Sequence, residues 1–143
     1  MFDAAPGNAA SEAPASLLDE AGLAALNEKY LPLDFEARIR TLYQDFAADK
    51  VLVTSSFAAT SAYFLHIVSR IRPQQKIHFI DTGFHFLETL QYREYLIKLF
   101  GLKVIDVRAE DWKHQFTADE KTYQRDPDFC CSVNKVEPLE AVK

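Results

Sequence analysis

The stretch Lys76-Ile77-His78-Phe79-Ile80-Asp81-Thr82-Gly83 decides the fold. Its first five residues are apolar at alternate positions, as in a strand, and Asp-Thr-Gly then closes the run with turn chemistry. Leu87–Phe100 follows as a helix that stops at Gly101, the residue suited to the left-handed position after a last helical turn. A second β-branched run, Lys103–Val107, comes directly after it. The same unit stands upstream, where Val51-Leu52-Val53 enters the polar Thr54-Ser55-Ser56 and Ala62–Ile71 reads as a helix. Strands alternating with helices of about ten residues or more predict an α/β protein: an open parallel sheet with helices on both faces, joined by right-handed crossovers.

Outward from this centre the signals are simpler. Ser16-Leu17-Leu18-Asp19 has the form of a capping box, and Leu17, Leu18, Ala21, Ala24, Ala25 and Leu26 recur at helical spacing behind it. Asp34 is placed to cap a second helix, on which Phe35, Ile39, Leu42, Tyr43 and Phe46 share one face. Residues 1–15, rich in Ala, Pro and Ser, gain too little from burial to order and are read as a tail preceding a domain over 16–143. Arg108–Asp128 is charged and aromatic without a clear period. It is predicted to be a long loop with short helical turns, anchored by Trp112 and Phe116.

Composition excludes several classes. A chain of 143 residues with 48% hydrophobic and 26% charged residues is an ordinary globular domain, neither coiled coil nor wholly disordered. A net charge of -5 argues against a surface that wraps a nucleic-acid backbone, so no nucleic-acid partner is expected. No apolar run approaches the roughly 18 residues of a membrane span, and residues 1–14 lack the basic start of a secretory signal. The two cysteines, Cys130 and Cys131, are adjacent and cannot staple distant segments. Reduced thiols and a cytoplasmic location are the expectation.

In open parallel sheets ligands sit at the carboxyl ends of the strands. The first such loop, Thr54–Ser61, surrounds a helix start with hydroxyls and small residues that suit an anion, and would equally serve as an ordinary Ser/Thr cap and turn. The second carries Asp81 where a ribose or a metal could bind, with Gly83 permitting close backbone approach. A vicinal Cys130-Cys131 pair points its sulfurs apart, which suits a multi-iron cluster better than one zinc; two structural thiols are the alternative. Of the histidines, His66 and His78 fall within apolar elements as packing or capping residues, and His85 and His114 fall near the expected site.

Three segments together resemble the assimilatory sulfonucleotide reductases, the phosphoadenylyl-sulfate and adenylyl-sulfate reductases of the adenine nucleotide alpha hydrolase (PP-loop) superfamily. They are Thr54–Ala62, Asp81–Thr89 and Cys130–Leu139, and the likeness runs from about Asp45 to the C-terminus. The first resembles a modified PP-loop, the second the Asp-Thr-Gly loop, the third a Cys-Cys-x-x-Arg-Lys-Val-x-Pro-Leu stretch. The chain departs from that pattern at Ala58, Leu87 and Asn134, where Gly, Pro and Arg are usual.

The resemblance implies a role for each matching residue. Ser55, Ser56, Phe57, Thr60 and Ser61 would contact the nucleotide and its phosphosulfate, and Asp81, Thr82, Gly83, Glu88 and Thr89 would line the adenosine side. Cys130 and Cys131 would be half the ligands of a 4Fe-4S cluster, and Lys135 would offset charge on the substrate. The implied activity is reduction of adenylyl sulfate or 3′-phosphoadenylyl sulfate to sulfite, with thioredoxin or glutaredoxin as reductant, in sulfate assimilation and cysteine biosynthesis. Such reductases continue to a Cys-x-x-Cys pair and a C-terminal tail bearing the nucleophilic cysteine, so the expectation here is a chain truncated before its catalytic part. No membrane partner is expected, and assembly into a homo-oligomer is left open. A non-catalytic sulfonucleotide-binding fragment and an ATP-dependent adenylating PP-loop enzyme are the alternatives.

Overall fold

The computed structural model describes residues 19–143, which places the expected tail and Ser16 of the capping box outside the described residues. The chain divides after Arg38 into two compact units. In the first, α1 (Glu20–Tyr30) begins at Asp19, whose carboxylate accepts the Gly22 N–H at 2.7 Å as an N-cap should. Arg38 closes the turn after α1 by donating to the carbonyls of Tyr30 and Leu31. Asp34 caps α2 (Phe35–Asp45) as expected, accepting from Ala37 N–H at 2.8 Å.

The second unit, residues 39–143, is the α/β body. Its order is β1 (Val53–Thr54), α3 (Ser61–Ile71), β2 (Lys76–Ile80), α4 (Leu87–Phe100), β3 (Lys103–Val107), then helices α5 (Asp111–Asp119), α6 (Thr122–Arg125), α7 (Pro127–Cys131) and α8 (Glu137–Glu140). The strands form one parallel sheet in the order β1-β2-β3, with Val53 opposite Ile77 and Phe79 opposite Asp106. β2, α4 and β3 have the bounds read from the sequence. Gly101 adopts φ 63° and its N–H and that of Leu102 return to Ile97 O, which is why the helix stops there.

One face of the sheet is the core. Ile77 and Phe79 point into it and are 1% exposed, beside Val53 of β1, Phe57 of the loop after it, Leu65, Ile67 and Val68 of α3 and Leu96 of α4. A charged group enters this face as well: the Arg93 guanidinium stacks 4.8 Å from the Phe79 ring centroid and pairs with Asp106 of β3. The opposite face presents His78 and Ile80. The end of the chain approaches it, since Val142 and Lys143 share a cavity of about 550 Å³ with Leu52 and His78. Among the described residues no helix is long and apolar enough to cross a membrane.

Two expectations are corrected here. β1 starts at Val53 and not at Val51, because the buried Gln75 side chain donates to Val51 O at 3.1 Å and takes the carbonyl a ladder would use. Gln75 also accepts from Tyr43 Oη at 2.9 Å, so within the second unit this amide ties Tyr43 to the entry of two strands. Arg108–Asp128 is not a loop. It is largely helical, and the period is hidden because the inward side of α5 is polar, with Thr117 buried and His114 half-buried, while Trp112 and Phe116 are 68% and 50% exposed and make only surface contacts, to Glu110 and Phe129.

The Tyr43–Gln75 bond gives a test. Burial, partly offset by the Arg72 charge, raises the Tyr43 pKa above its usual 10.0. The unfolded chain therefore loses this proton first, and stability present below pH 10.0 falls as pH rises through the folded value. Tyr43→Phe is expected to cost about 1 kcal/mol at neutral pH by leaving Gln75 Oε1 without its donor. It should also flatten the loss of stability above pH 10.0, read by urea unfolding at several pH values.

Candidate functional site

Parallel strands bring their carboxyl ends to one edge, and both polar loops emerge there. Ser55 N–H still bonds to His78 O at 3.1 Å, so the first loop leaves the sheet directly beside β2. Ser55 Oγ accepts from Phe57 N–H at 3.1 Å, a tight turn that carries Phe57 into left-handed backbone at φ 54°. This strained position is held by burial: the Phe57 ring is 1% exposed and meets Phe79 edge-on at 5.7 Å. The Phe57 side chain is thus core, and its backbone is the part that can face a ligand. The N–H groups of Ser56, Ala58, Ala59 and Thr60 donate to no protein acceptor among the described residues. Ser56 and Thr60 are exposed and Ser61 opens α3.

The second loop is more tightly built. Asp81 N–H bonds to Val107 O at 2.9 Å, extending the β2–β3 ladder by one residue. Its carboxylate then accepts from Gly83 N–H at 3.0 Å and pairs with Arg108 at 2.5 Å. Thr82 is buried and accepts from Phe84 N–H at 3.3 Å. Asp81, Gly83 and Arg108 line a cavity of about 320 Å³ with His85, Leu90, Asp111, His114 and Asn134, at the small end of the usual range for ligand sites, about 300–1,000 Å³.

His85 and His114, read as the histidines near the site, both reach this cavity. His85 is pinned by a 3.0 Å bond between Nε2 and Ile80 O. His114, on α5, packs directly on Gly83: a Cβ added there would lie 2.5 Å from its Cε1. Its Nδ1 is 3.0 Å from Asn134 Oδ1. Asn134 is 2% exposed in a π-helical turn, Ser132–Val136, and its amide also bonds to Thr117 Oγ1 and Cys130 O, both at 3.0 Å. Lys113 reaches across to Glu137 at 2.7 Å, a bond that holds its ammonium above the usual lysine range.

Several expected residues lie elsewhere. Glu88 and Thr89 belong to the first turn of α4 and do not line the cavity, nor do Ser55, Ser56, Thr60 and Ser61 on the neighbouring strand end. Cys130 is buried with its sulfur 3.7 Å from Asn134 Nδ2, whereas Cys131 is exposed. Lys135 is exposed in the π-helical turn. Sequence reasoning missed Arg108 and Asn134. Arg108 stands at the end of β3, where the strand-end rule would have found it; the inward aim of Asn134 depends on the π-helical turn.

A four-iron cluster requires four ligands, commonly all thiolates. The described residues hold two cysteines and no group of three metal-ligating side chains, so they do not by themselves fit that group.

Comparison with known proteins agrees with this architecture. The phosphoadenosine phosphosulfate reductase domain family matches residues 50–142. An adenosine 5′-phosphosulfate reductase of Mesorhizobium japonicum is 39% identical over 122 residues, 83% of this chain and 46% of that protein. A phosphoadenosine 5′-phosphosulfate reductase of Gloeobacter violaceus is 30% identical over 135 residues, 92% of this chain and 56% of that protein. The chain therefore spans about half the length of the curated relatives it matches. The crystal structure of phosphoadenylyl-sulfate reductase from Candida auris, a phosphate complex, superposes with a TM-score of 0.71 at 20% identity, covering 87% of this chain and 62% of that one. It shares the fold.

The packing of His114 on Gly83 gives the test of this geometry. Both Gly83 and Gly101 have positive φ, 73° and 63°, but a Cβ at Gly101 meets nothing within 4 Å. Gly101→Ala should cost only the left-handed strain, about 1–2 kcal/mol. Gly83→Ala is expected to cost more and to shift the His114 ring signals, measured by chemical denaturation and NMR.

Proposed function

The chain belongs to the phosphoadenosine phosphosulfate reductase domain family, and from that premise we propose that it is the sulfonucleotide-binding body of an enzyme that reduces adenylyl sulfate or 3′-phosphoadenylyl sulfate to sulfite. The observation that supports this most directly is the pairing of two polar loops at adjacent ends of one parallel sheet. One loop offers N–H groups that meet no protein acceptor among the described residues; the other offers a carboxylate, a guanidinium and a cavity. In this reading Ser56 and Thr60 with their neighbouring amides hold the phosphosulfate, and Asp81, Thr82 and Gly83 hold the adenosine side. Glu88 and Thr89 border it, and Ser55 and Ser61 shape the first loop.

In the proposed reaction a cysteine thiolate attacks the sulfur, the S–O bond to phosphate breaks, and the nucleotide leaves as its monophosphate or 3′,5′-bisphosphate. A dithiol of the thioredoxin or glutaredoxin type then reduces the S-sulfocysteine, releasing sulfite and becoming a disulfide. Neither Cys130 nor Cys131 lines the cavity, so neither is assigned as nucleophile. In the full enzyme we assign them as half of a 4Fe-4S ligand set, with Lys135 offsetting substrate charge. The proposed setting is cytoplasmic sulfate assimilation leading to cysteine.

Calorimetry with AMP tests the binding site. The 143-residue chain should bind AMP, and a Ser56→Ala, Asp81→Ala double variant should weaken that binding at least tenfold. Equal heats for the two proteins would overturn the assignment of the loops. Purified without oxygen, the same chain is expected to be colourless and to release no sulfite from adenylyl sulfate and thioredoxin. A brown protein with iron–sulfur absorbance, or sulfite release, would show that two thiols suffice.

A further inference from the structure

The hydrogen bonds around Asn134 fix more than its own position. Cys130 O has no hydrogen to give, so the Asn134 atom 3.0 Å away must be the amide nitrogen. Thr117 Oγ donates its single proton to His114 O at 2.8 Å, so it can only accept from Asn134 at 3.0 Å. Both amide hydrogens are thereby used, and Oδ1 is the atom that faces His114 Nδ1 at 3.0 Å. A carbonyl oxygen only accepts, so the proton of the neutral ring sits on Nδ1. The lone pair is left on Nε2. Among the described residues no protein group bonds to Nε2, and His114 lines the cavity that Asp81 and Arg108 also line.

We propose that His114 is a ligand-contacting residue whose Nε2 accepts a hydrogen bond from a hydroxyl of the bound ligand, and that Asn134 is the positioning residue that holds the ring in the tautomer this requires. The inference rests on the sulfonucleotide reading of the cavity, within which the hydroxyl is one of the two on the ribose. Two acceptors, the Asp81 carboxylate and the imidazole, share the cavity, and a sugar diol offers two adjacent O–H donors to such a pair. The Arg108 cation stands beside them for the anionic part of the same ligand. Asn134 thus acts through His114, and the Cys130 backbone is drawn into the same network.

Two measurements decide the matter. In the isotope-labelled, ligand-free chain the His114 nitrogens are expected to be pyrrole-like at Nδ1 and pyridine-like at Nε2. Asn134→Asp should keep that pattern, since a carboxylate still accepts from Nδ1–H, while Asn134→Leu should lose it. By calorimetry, His114→Ala is expected to weaken AMP about tenfold, the effect of one hydrogen bond. His114→Gln, whose amide oxygen can reach the Nε2 position, should recover part of the loss. One of 2′-deoxy-AMP and 3′-deoxy-AMP should bind the unaltered chain about tenfold more weakly than AMP, and lose nothing further in His114→Ala. A ring protonated on Nε2 would overturn the role of Asn134. AMP bound equally by the unaltered chain and His114→Ala would overturn the ligand contact alone. If the unaltered chain binds no AMP, the nucleotide reading falls and this ligand assignment with it, while the nitrogen spectrum still decides the tautomer.

Discussion

The two-sided pairing of β2 is the constraint on which the site depends. Every N–H and C=O in a buried strand needs a partner, and β2 finds them in β1 on one side and β3 on the other. That fixes its register, and the side-chain alternation then sends Ile77 and Phe79 into the core. The ladder continues one residue past the strand, through Asp81 N–H to Val107 O, so the carboxylate at the rim inherits the rigidity of the sheet. The Gly83 N–H and Arg108 then hold the carboxylate on that rigid mount.

Burial of polar groups gives the periphery its specificity. Gln75, Thr117, Thr122 and Asn134 are all buried and hydrogen-bonded, Gln75, Thr117 and Asn134 to groups at a distance in sequence and Thr122 to Thr117 O nearby. Leaving any of them unpaired would cost about 1–3 kcal/mol, so their partners are effectively prescribed. Gln75 sets where β1 can begin. Asn134 sets where α5 meets the C-terminal helical run, with the Lys113–Glu137 ion pair closing the same junction nearer to solvent.

Charge is handled as a chain across the end of the sheet. Arg93, under the sheet, pairs with Asp106; Asp106 lies 3.8 Å from Arg108, and Arg108 clamps Asp81 at the cavity. The exposed outer links contribute little to stability, as surface pairs do. Their consequence is electrostatic: the carboxylate at the strand end already has a cation beside it, which lowers the cost of bringing a further anion to the rim.

The sequence by itself determined the sheet and the helices that cross it, because strands and long helices announce themselves by the spacing of apolar residues. Ile77 and Phe79 repeat at two, and Leu65 and Val68 fall a helical turn apart. It also determined the ends of elements at Asp34 and Gly101, which act through their own backbone neighbours, whereas Asp19, read as the inner acid of a capping box, is itself the N-cap. The strand-end position of Asp81 and Gly83 was legible for the same reason. Only the tertiary structure decided which residues share the cavity with them. Arg108, His114 and Asn134 come from a strand end, a helix and a π-helical turn, and hydrogen bonds between polar side chains far apart in sequence bring the last two together. Such pairing carries no period. The same holds for Phe57, whose ring turns from the polar loop into the core because a left-handed residue supported by Phe79 permits it, a matter of packing that no local pattern encodes.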